Sequence, residues 1–150
     1  NKNLYQDAGD YIVMIVGGPN ARKDYHYNET EELFYQLEGD ITVKIQEDGA
    51  AVEVPIKQGE MFLLPAKIPH SPIRPANTVG LVIERKRVKD HNDGLMWFCD
   101  NCNNKLHETY FHLTNIEKDF LPRFRAFYGS KEHRTCSNCG HVMETDPRFV

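Results

Sequence analysis

Short hydrophobic runs alternate with turn residues from Tyr11 to about Arg87. The stretch YIVMIV, which starts at Tyr11, is wholly apolar and predicts a strand buried on both faces. Residues 41–46 alternate apolar and polar side chains, which predicts a strand with one buried face, and Asp48-Gly49 predicts a hairpin turn after it. Further strands at similar spacing, with no helical run among them, indicate a β-sandwich or barrel.

The pattern changes after Arg87. The polar stretch VKDHNDG, residues 88–94, predicts a linker between a barrel at 1–95 and a smaller lobe at 96–150. Inside the lobe, apolar side chains fall near helical spacing and predict a short helix: Ile116, Phe120, Phe124, Phe127 and Tyr128. Thr114-x-x-Glu117 has the form of a capping box, Pro122 is expected to break or restart the helix, and Gly129 can end it.

Composition and charge narrow the possible partners. Lys plus Arg is 18 against 22 Asp plus Glu, a net charge of −4, which argues against broad nucleic-acid binding and against a zinc-knuckle nucleic-acid binder. The longest apolar run is far below the ~20 residues of a membrane span. We expect a protein of the cytoplasm that binds a small molecule. Because the sequence starts at Asn1 without a Met, a missing N-terminal piece is also expected.

The four cysteines form two C-x-x-C pairs, Cys99 with Cys102 and Cys136 with Cys139. Two such knuckles supply four thiolates to one tetrahedral ion, with no open position, so the predicted site is structural. Zn and Fe both suit four thiolates. Four reduced, unligated cysteines and a thioredoxin-like redox pair are the alternatives, the second disfavoured because no βαβ pattern surrounds them. Paired cysteines of this kind favour a reducing compartment.

A second candidate metal site combines His26 and Glu32 with His70, which follows a predicted strand. Two imidazoles and one carboxylate form the triad of non-heme Fe(II) oxygenases, which leaves positions open for substrate and O2. A zinc site of two histidines and a glutamate would use the same residues. A surface histidine beside solvated acids is the simplest alternative.

The same segment resembles the two cupin motifs. Gly39 follows Glu32 with the spacing that closes the first motif, and Gly59, Pro65 and His70 match the spacing of the second. This sequence departs from the motifs in that Asp24 stands where many cupins have the first histidine. Further along, Lys67 replaces a glycine and Arg74 replaces the final asparagine.

With these departures, the sequence closely resembles the 3-hydroxyanthranilate 3,4-dioxygenase family. Three stretches carry the resemblance: VGGPNARKDYHYNETEELFYQLEG, LLPAKIPHSPIRP and GLVIERKR. The bacterial and fungal type of that family also carries two C-x-x-C pairs in its tail. The resemblance implies an all-β cupin fold (a double-stranded β-helix or jelly-roll barrel) with a small C-terminal metal-knuckle lobe. It also implies two sets of site residues: the Fe(II) ligands His26, Glu32 and His70, and the substrate-binding residues Arg22, Arg74 and Glu84.

The resemblance further implies an activity. Members of the family cleave 3-hydroxyanthranilate with O2 to 2-amino-3-carboxymuconate semialdehyde, on the route from tryptophan to quinolinate and NAD. They tend to be homodimers and usually begin with a further N-terminal segment. The alternative from another class is a non-catalytic cupin that binds a carboxylated ligand and uses the cysteine lobe as an interaction module.

The substrate carboxylate suits a guanidinium fork, which Arg22 and Arg74 could supply. The alternative for both is a surface arginine. Glu84 interrupts an apolar strand and is a candidate catalytic residue, accepting hydrogen bonds or a proton from the substrate amine or hydroxyl. Its alternative role is an ion pair with Arg22 or Arg74. Asp24 is expected to orient Arg22 or a metal ligand.

Overall fold

The computed structural model describes residues 1–5, 7 and 9–150, except for the side chain of Glu117. Its strands form two sheets. The first has five strands in the order β1-β2-β9-β4-β7, and their bounds are β1 Lys2–Asn3, β2 Tyr11–Gly17, β4 Glu32–Glu38, β7 Met61–Leu64 and β9 Val79–Arg85.

The second sheet has six strands in the order β11-β10-β3-β8-β5-β6. Their bounds are β3 Tyr25–Tyr27, β5 Ile41–Glu47, β6 Ala50–Ile56, β8 His70–Ile73, β10 Asp93–Phe98 and β11 Lys105–Phe111. The named strand pairs of both sheets are antiparallel. The chain passes repeatedly from one sheet to the other, so the two sheets face each other across a shared core.

That core is built from alternate side chains of both sheets. Phe34 and Val82 come from the first sheet and Val43 and Ile56 from the second, and all four are buried. Residues 41–46 show the predicted alternation, and the hairpin turn is present, with φ of 51° at Asp48 and 80° at Gly49. The prediction for β2 was wrong, because most of its side chains are only half-buried and Tyr11 is exposed. Its outer face has no covering layer in the described part of the chain.

Helix α1 spans Ile116–Tyr128, and Gly129 ends it, as predicted. The helix begins one residue later than the capping-box pattern predicts, because Asn115 is the N-cap and accepts a hydrogen bond from Lys118 N. The Glu117 half of that pattern lies outside the described residues. Pro122 sits inside the helix without ending it. Buried Phe120, Phe124 and Phe127 anchor the helix on both sides of the proline.

A second hydrophobic core joins α1 to the second sheet. Trp97 of β10 is fully buried and stacks on Phe127 with ring centroids 4.2 Å apart. Two short helices complete this part, α2 at Lys131–Arg134 and a 3-10 helix at Pro147–Phe149. No helix among the described residues is long and apolar enough to cross a membrane.

The predicted linker at residues 88–94 does not extend as far as expected. Asp93 and Gly94 begin β10, and Asp93 is 1% exposed. The linker prediction was wrong at this end because Asp93 and Gly94 pair with β11, and Gly94 also pairs with β3. The division into 1–95 and 96–150 stays a prediction, and its boundary lies inside β10.

Candidate active site

The two predicted histidine ligands lie on neighbouring strands of the second sheet. His26 of β3 and His70 of β8 are directly paired in register, so their side chains leave the sheet on the same face. Glu32 begins β4 of the first sheet. The three side chains meet in the space between the sheets, which is where a cupin barrel would hold a metal.

The distances among them suit one metal ion. Glu32 Oε2 lies 3.3 Å from His70 Nε2, and Glu32 Oε1 lies 3.7 Å from His26 Nδ1. One donor atom from each of the three residues lies within 4.8 Å of the other two. The His70 Nδ1 atom is 3.0 Å from the Ile68 carbonyl oxygen, which makes Nδ1 a donor nitrogen. The neutral ring therefore has the lone pair of Nε2 to offer to a metal.

A cavity of about 130 Å³ opens beside these three residues. The predicted substrate-binding residues Arg22, Arg74 and Glu84 also line it, so all six predicted barrel-site residues face one cavity. Its apolar wall comes from both sheets and from the C-terminal helix: Met14, Val16, Phe34, Pro72, Val82, Leu113, Ile116 and Phe120. An aromatic ring with polar substituents fits this mixture of surfaces.

Arg74 is the strongest candidate for binding an anionic group. Its side chain is 3% exposed, and its Nη1 atom is buried without a hydrogen-bond partner among the described residues. A Cβ atom at Gly80 would lie 2.9 Å from that nitrogen and 2.7 Å from Gln36 Oε1, so the glycine leaves room for the guanidinium. A buried, unpaired donor of this kind is costly unless a ligand completes it.

Arg22 lies at the outer part of the cavity and is held differently. Its Nε atom pairs with Asp24 Oδ1 at 3.3 Å, and its Cζ atom lies 5.7 Å from the centroid of the Phe124 ring. Its side chain is 28% exposed. The expected orienting role of Asp24 toward Arg22 is consistent with this contact, and a half-exposed Arg22 could approach a ligand from the solvent side.

Glu84 lies directly opposite Glu32 in the pairing of β9 with β4. Its ion-pair partner is neither of the arginines considered from the sequence but Arg87, whose Nη1 is 2.6 Å from Glu84 Oε1. Arg87 also binds Asp93, and Asp93 contacts His26. Sequence reasoning assigned no role to Arg87, which ends the stretch GLVIERKR, or to Asp93, which lies in the polar stretch 88–94.

His70 and Glu32 stabilise one another's charged forms. Burial alone would raise the pKa of Glu32, but His70 and then His26 outweigh it and hold this pKa well below its usual range. Burial lowers the pKa of His70, yet the adjacent Glu32 carboxylate raises it above its usual value overall. Glu32 is therefore a carboxylate at neutral pH, which is the form that binds a metal.

For Glu84 and Arg74, burial sets the direction of the pKa shift, because it disfavours the charged form of each side chain. Burial, followed by repulsion from Glu32, raises the pKa of Glu84 to about 8, although Arg87 opposes the change. Burial lowers the pKa of Arg74 to about 10, which still leaves the side chain charged at neutral pH. Glu84 can therefore hold or release a proton near neutral pH, as a general base or acid requires.

The buried charges of the site also fit a cation. When Glu84 is ionised, three buried carboxylates, those of Glu32, Glu84 and Asp93, face two buried guanidiniums, those of Arg74 and Arg87. An additional positive charge would offset the cost of burying the third carboxylate. Nitrogen and oxygen donors in this ratio suit a divalent transition metal.

The four predicted cysteine ligands also come together. The Sγ atoms of Cys99 and Cys139 are 3.6 Å apart, and those of Cys102 and Cys136 are 3.5 Å apart. All four sulfur atoms lie within 4.8 Å of one another. The set fits one tetrahedral ion, with no fifth donor required.

The two cysteine knuckles have matching turns. The backbone N–H of Asn103 donates to the Cys99 carbonyl, and that of Gly140 donates to the Cys136 carbonyl, each at 2.9 Å. Asn103 takes a positive φ of 63° and Gly140 one of 79°. Asparagine tolerates this conformation better than other side chains, which explains why it can replace the glycine usual in such a knuckle.

Comparisons with known proteins agree on one family. The sequence model described as 3-hydroxyanthranilic acid dioxygenase matches residues 1–128. A 3-hydroxyanthranilate 3,4-dioxygenase of Xanthomonas campestris pv. campestris (strain 8004) is 55% identical over 150 residues, which is 100% of this chain and 84% of that protein. One of Bacillus thuringiensis (strain Al Hakam) is 46% identical over 144 residues, 95% of this chain and 80% of that protein.

One of two similar solved structures reaches a TM-score above 0.5 and supports the fold. A crystal structure from Acidithiobacillus ferrooxidans ATCC 23270, provisionally assigned as a sugar phosphate isomerase, matches with a TM-score of 0.51 at 18% identity, over 77% of this chain and 80% of that chain. A cupin-2 domain containing protein from Shewanella frigidimarina matches with a TM-score of 0.46 at 20% identity, over 53% and 74% of the two chains. The two facing antiparallel sheets and the helical cysteine lobe confirm the predicted fold class, a cupin barrel with a small C-terminal lobe.

Proposed function

The chain belongs to the 3-hydroxyanthranilic acid dioxygenase family, and on that premise we propose that it is an Fe(II)-dependent enzyme that opens the ring of 3-hydroxyanthranilate with O2. The product is 2-amino-3-carboxymuconate semialdehyde. The bond between the hydroxyl-bearing carbon and its unsubstituted neighbour is broken, and both oxygen atoms of O2 enter the product. The observation that carries the proposal is that His26, Glu32 and His70 converge at a cavity that the buried Arg74 also lines.

The donor set favours Fe(II) for the barrel site. Two imidazoles and one carboxylate leave open positions on the ion, as in other iron oxygenases. His26, Glu32 and His70 would hold the Fe(II), which would supply the redox chemistry that lets O2 react with the ring. The protein holds the three donors ready through the strand register of His26 with His70 and the burial of Glu32.

Arg74 orients the substrate through its carboxylate. Its planar guanidinium can donate two parallel hydrogen bonds, and the free Nη1 atom has no other partner in the described chain. Arg22 adds a second positive charge from the open side of the cavity. A fixed carboxylate position sets the direction in which the hydroxyl and amino groups of the ring point.

Glu84 accepts a proton from the substrate hydroxyl or amino group. It lies across the strand pair from Glu32, so it faces the same space as the metal donors. Its raised pKa of about 8 makes it basic enough to take a proton near neutral pH. Arg87 holds the carboxylate in place from the other side.

Apolar side chains complete the cavity and exclude water. Phe34 and Val82 come from the barrel, and Phe120 comes from helix α1. The Phe120 ring lies 5.6 Å from the His26 ring, centroid to centroid. The C-terminal part of the chain therefore supplies a wall of the site, which strengthens the electrostatic interactions inside it.

The proposal is tested by comparing 3-hydroxyanthranilate with 2-aminophenol, which has the same reacting groups but no carboxylate. Ring opening is followed in the near-ultraviolet on Fe(II)-loaded protein. We expect turnover of 3-hydroxyanthranilate, with kcat/KM for 2-aminophenol lower by about 10- to 100-fold because the charged hydrogen bonds to Arg74 are lost. No ring opening of either compound would contradict the proposal and favour a non-catalytic binder of a carboxylated ligand.

We infer that the four-cysteine site holds Zn or Fe in a structural role. Its four sulfur donors leave no position for a substrate. Elemental analysis of purified protein distinguishes the two metals, and absence of both would contradict the inference. The cytoplasmic location expected from these paired cysteines stays a prediction.

We also propose that two copies of the chain associate through the outer face of the first sheet. On this face, every second side chain of a strand points away from the core. The outward side chains of β7, β4, β9 and β2 lie opposite one another in the strand register. They form two apolar rows: Leu63, Leu33, Ile83 and Val13 in one row, and Met61, Tyr35, Leu81 and Ile15 in the other. An outward antiparallel sheet face is usually polar, and a continuous apolar one marks an interaction surface.

A second copy is the expected occupant because a flat face of this kind can pair with itself about a two-fold axis. Sedimentation at micromolar concentration should find a dimer. Leu63→Glu should give a monomer, since the charge would be buried unpaired at the interface. Val88→Glu is the control, because Val88 is also exposed but follows the last strand of that sheet. A monomeric parent chain, or a dimer unaffected by Leu63→Glu, would contradict this interface.

A further inference from the structure

Arg87 joins two buried carboxylates that come from different sheets. Its Nη1 donates to Glu84 Oε1 at 2.6 Å, while its Nε and Nη2 donate to the two oxygens of Asp93 at 2.9 and 2.7 Å. The Arg87 side chain is 6% exposed. This is a bidentate pair with one carboxylate and a further bond to another, an arrangement that fixes both acids in direction as well as position.

Asp93 continues the connection to the metal site. Its Oδ2 atom lies 2.6 Å from His26 Nε2, while the other nitrogen of that ring, Nδ1, faces Glu32. A carboxylate on one imidazole nitrogen keeps the proton there and leaves the lone pair of the other nitrogen for a metal. Asp93 therefore determines both the orientation of the His26 ring and the nitrogen that is free to bind.

The position of Asp93 depends on the pairing of β10 with β3. Leu95 is the register partner of His26, and Gly94 is the partner of Tyr27. A Cβ atom at Gly94 would lie 3.0 Å from both Tyr27 and Tyr110, so a small residue allows the strand to approach closely at this point. Asp93 stands just before this contact, at the end of the strand nearest the site.

Stability alone gives a weak reason for this network. Burying a charged group is costly even when it is paired, and apolar residues in place of a buried ion pair often stabilise a protein. Here the network ends at one side on a proposed metal ligand, His26, and at the other on a proposed proton acceptor, Glu84. The chain Glu84–Arg87–Asp93–His26 thus connects the two functions of the cavity.

We propose that Asp93 and Arg87 are positioning residues: Asp93 fixes His26 for metal binding, and Arg87 holds Asp93 and Glu84 in a common frame. The inference rests on the proposed function for its chemistry, but its first consequence is metal affinity, which requires no turnover. Loss of the Asp93 carboxylate leaves the His26 ring free to rotate and exchange its proton between nitrogens. Loss of Arg87 releases Glu84 as well.

The test is the affinity of the barrel site for Co(II), measured by competition with a chelator on protein whose cysteines have first been loaded with Zn(II). Asp93→Asn should weaken Co(II) binding about 10- to 100-fold, while its circular dichroism spectrum stays that of the parent protein. Asp90→Asn is the matched control, since Asp90 is an exposed carboxylate between β9 and β10 and is not among the residues that line the cavity. Unchanged Co(II) affinity in folded Asp93→Asn would overturn the role of Asp93.

A second variant covers the case in which Asp93→Asn does not fold. The double variant Arg87→Gln with Asp93→Asn removes one positive and one negative charge together, and Glu84, whose pKa is already raised, can stay protonated without its partner. It should show the same loss of Co(II) affinity, and parent-like affinity would again overturn the proposal. Arg87→Lys separates the two branches: KM for 3-hydroxyanthranilate should rise about 10-fold, the size expected for one charged hydrogen bond, with a smaller change in Co(II) affinity.

These outcomes are separable from a failure of the proposed function. A parent protein that binds Co(II) but opens no ring would refute the activity, while the Asp93→Asn comparison would still decide the positioning role. A parent protein that turns over substrate while Asp93→Asn keeps full Co(II) affinity would refute the positioning role alone.

Discussion

His26 and His70 are register partners on adjacent antiparallel strands, and their ring centroids are 5.2 Å apart. Directly opposite residues on such strands project from the same face of the sheet. The pairing of β3 with β8 therefore presents two imidazoles side by side, and the facing sheet supplies Glu32. Residues 44 positions apart in the sequence become a single donor set by strand register alone.

The first prediction concerns this donor set. His26→Ala and Glu32→Ala should each remove the metal from the barrel, because two remaining donors cannot replace the triad. Metal content per chain should fall by one ion in both variants, with the four-cysteine ion retained. Ser71→Ala, next to His70 but bonded to the Arg22 carbonyl, is the control. Full metal content and activity in the His26 or Glu32 variant would contradict the triad.

A second prediction separates the two arginines. Arg74→Lys should raise KM for 3-hydroxyanthranilate by about 10- to 100-fold, because a lysine cannot match the bidentate geometry of the buried guanidinium. Arg22→Lys should have a smaller effect, since Arg22 is half-exposed and already paired with Asp24. Steady-state kinetics on both variants at saturating Fe(II) gives the comparison. The reverse ranking would show that the carboxylate binds at the outer end of the cavity.

The third prediction concerns the cysteine lobe. Cys136→Ser should lower the melting temperature, because loss of one thiolate weakens an ion that ties two distant knuckles together. A strong chelator should lower the melting temperature of the parent protein in the same way, but that of the variant much less. Ser137→Ala, the neighbouring position, should behave as the parent does. A parent protein insensitive to chelation would mean that the cysteines are unligated.

The sequence predicts the site residues that lie at a recognisable spacing and does not predict those that lack one. The cysteine pairs have a spacing with a geometric meaning, and their four sulfurs do come together. Glu32 and His70 lie at cupin spacings, so the resemblance indicated them. Asp93 and Arg87 have no such pattern. Asp93 reaches His26 because β10 pairs with β3, with Leu95 opposite His26.

Predictions of the fold were likewise correct for one kind of signal and wrong for another. Alternation along β5 predicted its buried face correctly, since one face packs against the core. The wholly apolar β2 was expected to be buried on both sides, but its outer face belongs to the apolar surface that we assign to a second copy. A proline was expected to interrupt α1, and aromatic packing around it keeps the helix continuous. Both outcomes depend on which distant residues pack against the element, and local patterns do not contain this information. No described residues cover the outer face of β2, whereas aromatic side chains hold α1 on both sides of Pro122.

The fourth prediction is a pH dependence of stability near α2. The His107 ring stacks on that of His133 with centroids 4.0 Å apart, and burial, with repulsion from His133, lowers the pKa of His107, although Glu108 opposes the change. The unfolded chain therefore takes up this proton first as the pH falls below about 6.5. Its contribution to stability is present above that pH and is lost as the pH falls toward the lowered pKa.

His107→Gln removes the titrating group. Urea unfolding at pH 7.5 and pH 5.5 should show the variant gaining stability relative to the parent protein at the lower pH. His112→Gln, at an exposed position of the same segment, is the control measured in parallel. An equal difference between His107→Gln and the parent at the two pH values would contradict the assignment.

The central claim is that the chain couples O2 to ring opening at the barrel metal. The most direct test is oxygen uptake after anaerobic reconstitution with Fe(II), with 3-hydroxyanthranilate added and product formation followed in the near-ultraviolet. We predict uptake of one O2 for each ring opened, dependent on Fe(II) and lost in Glu32→Ala. No uptake by folded, Fe(II)-loaded protein would contradict the account.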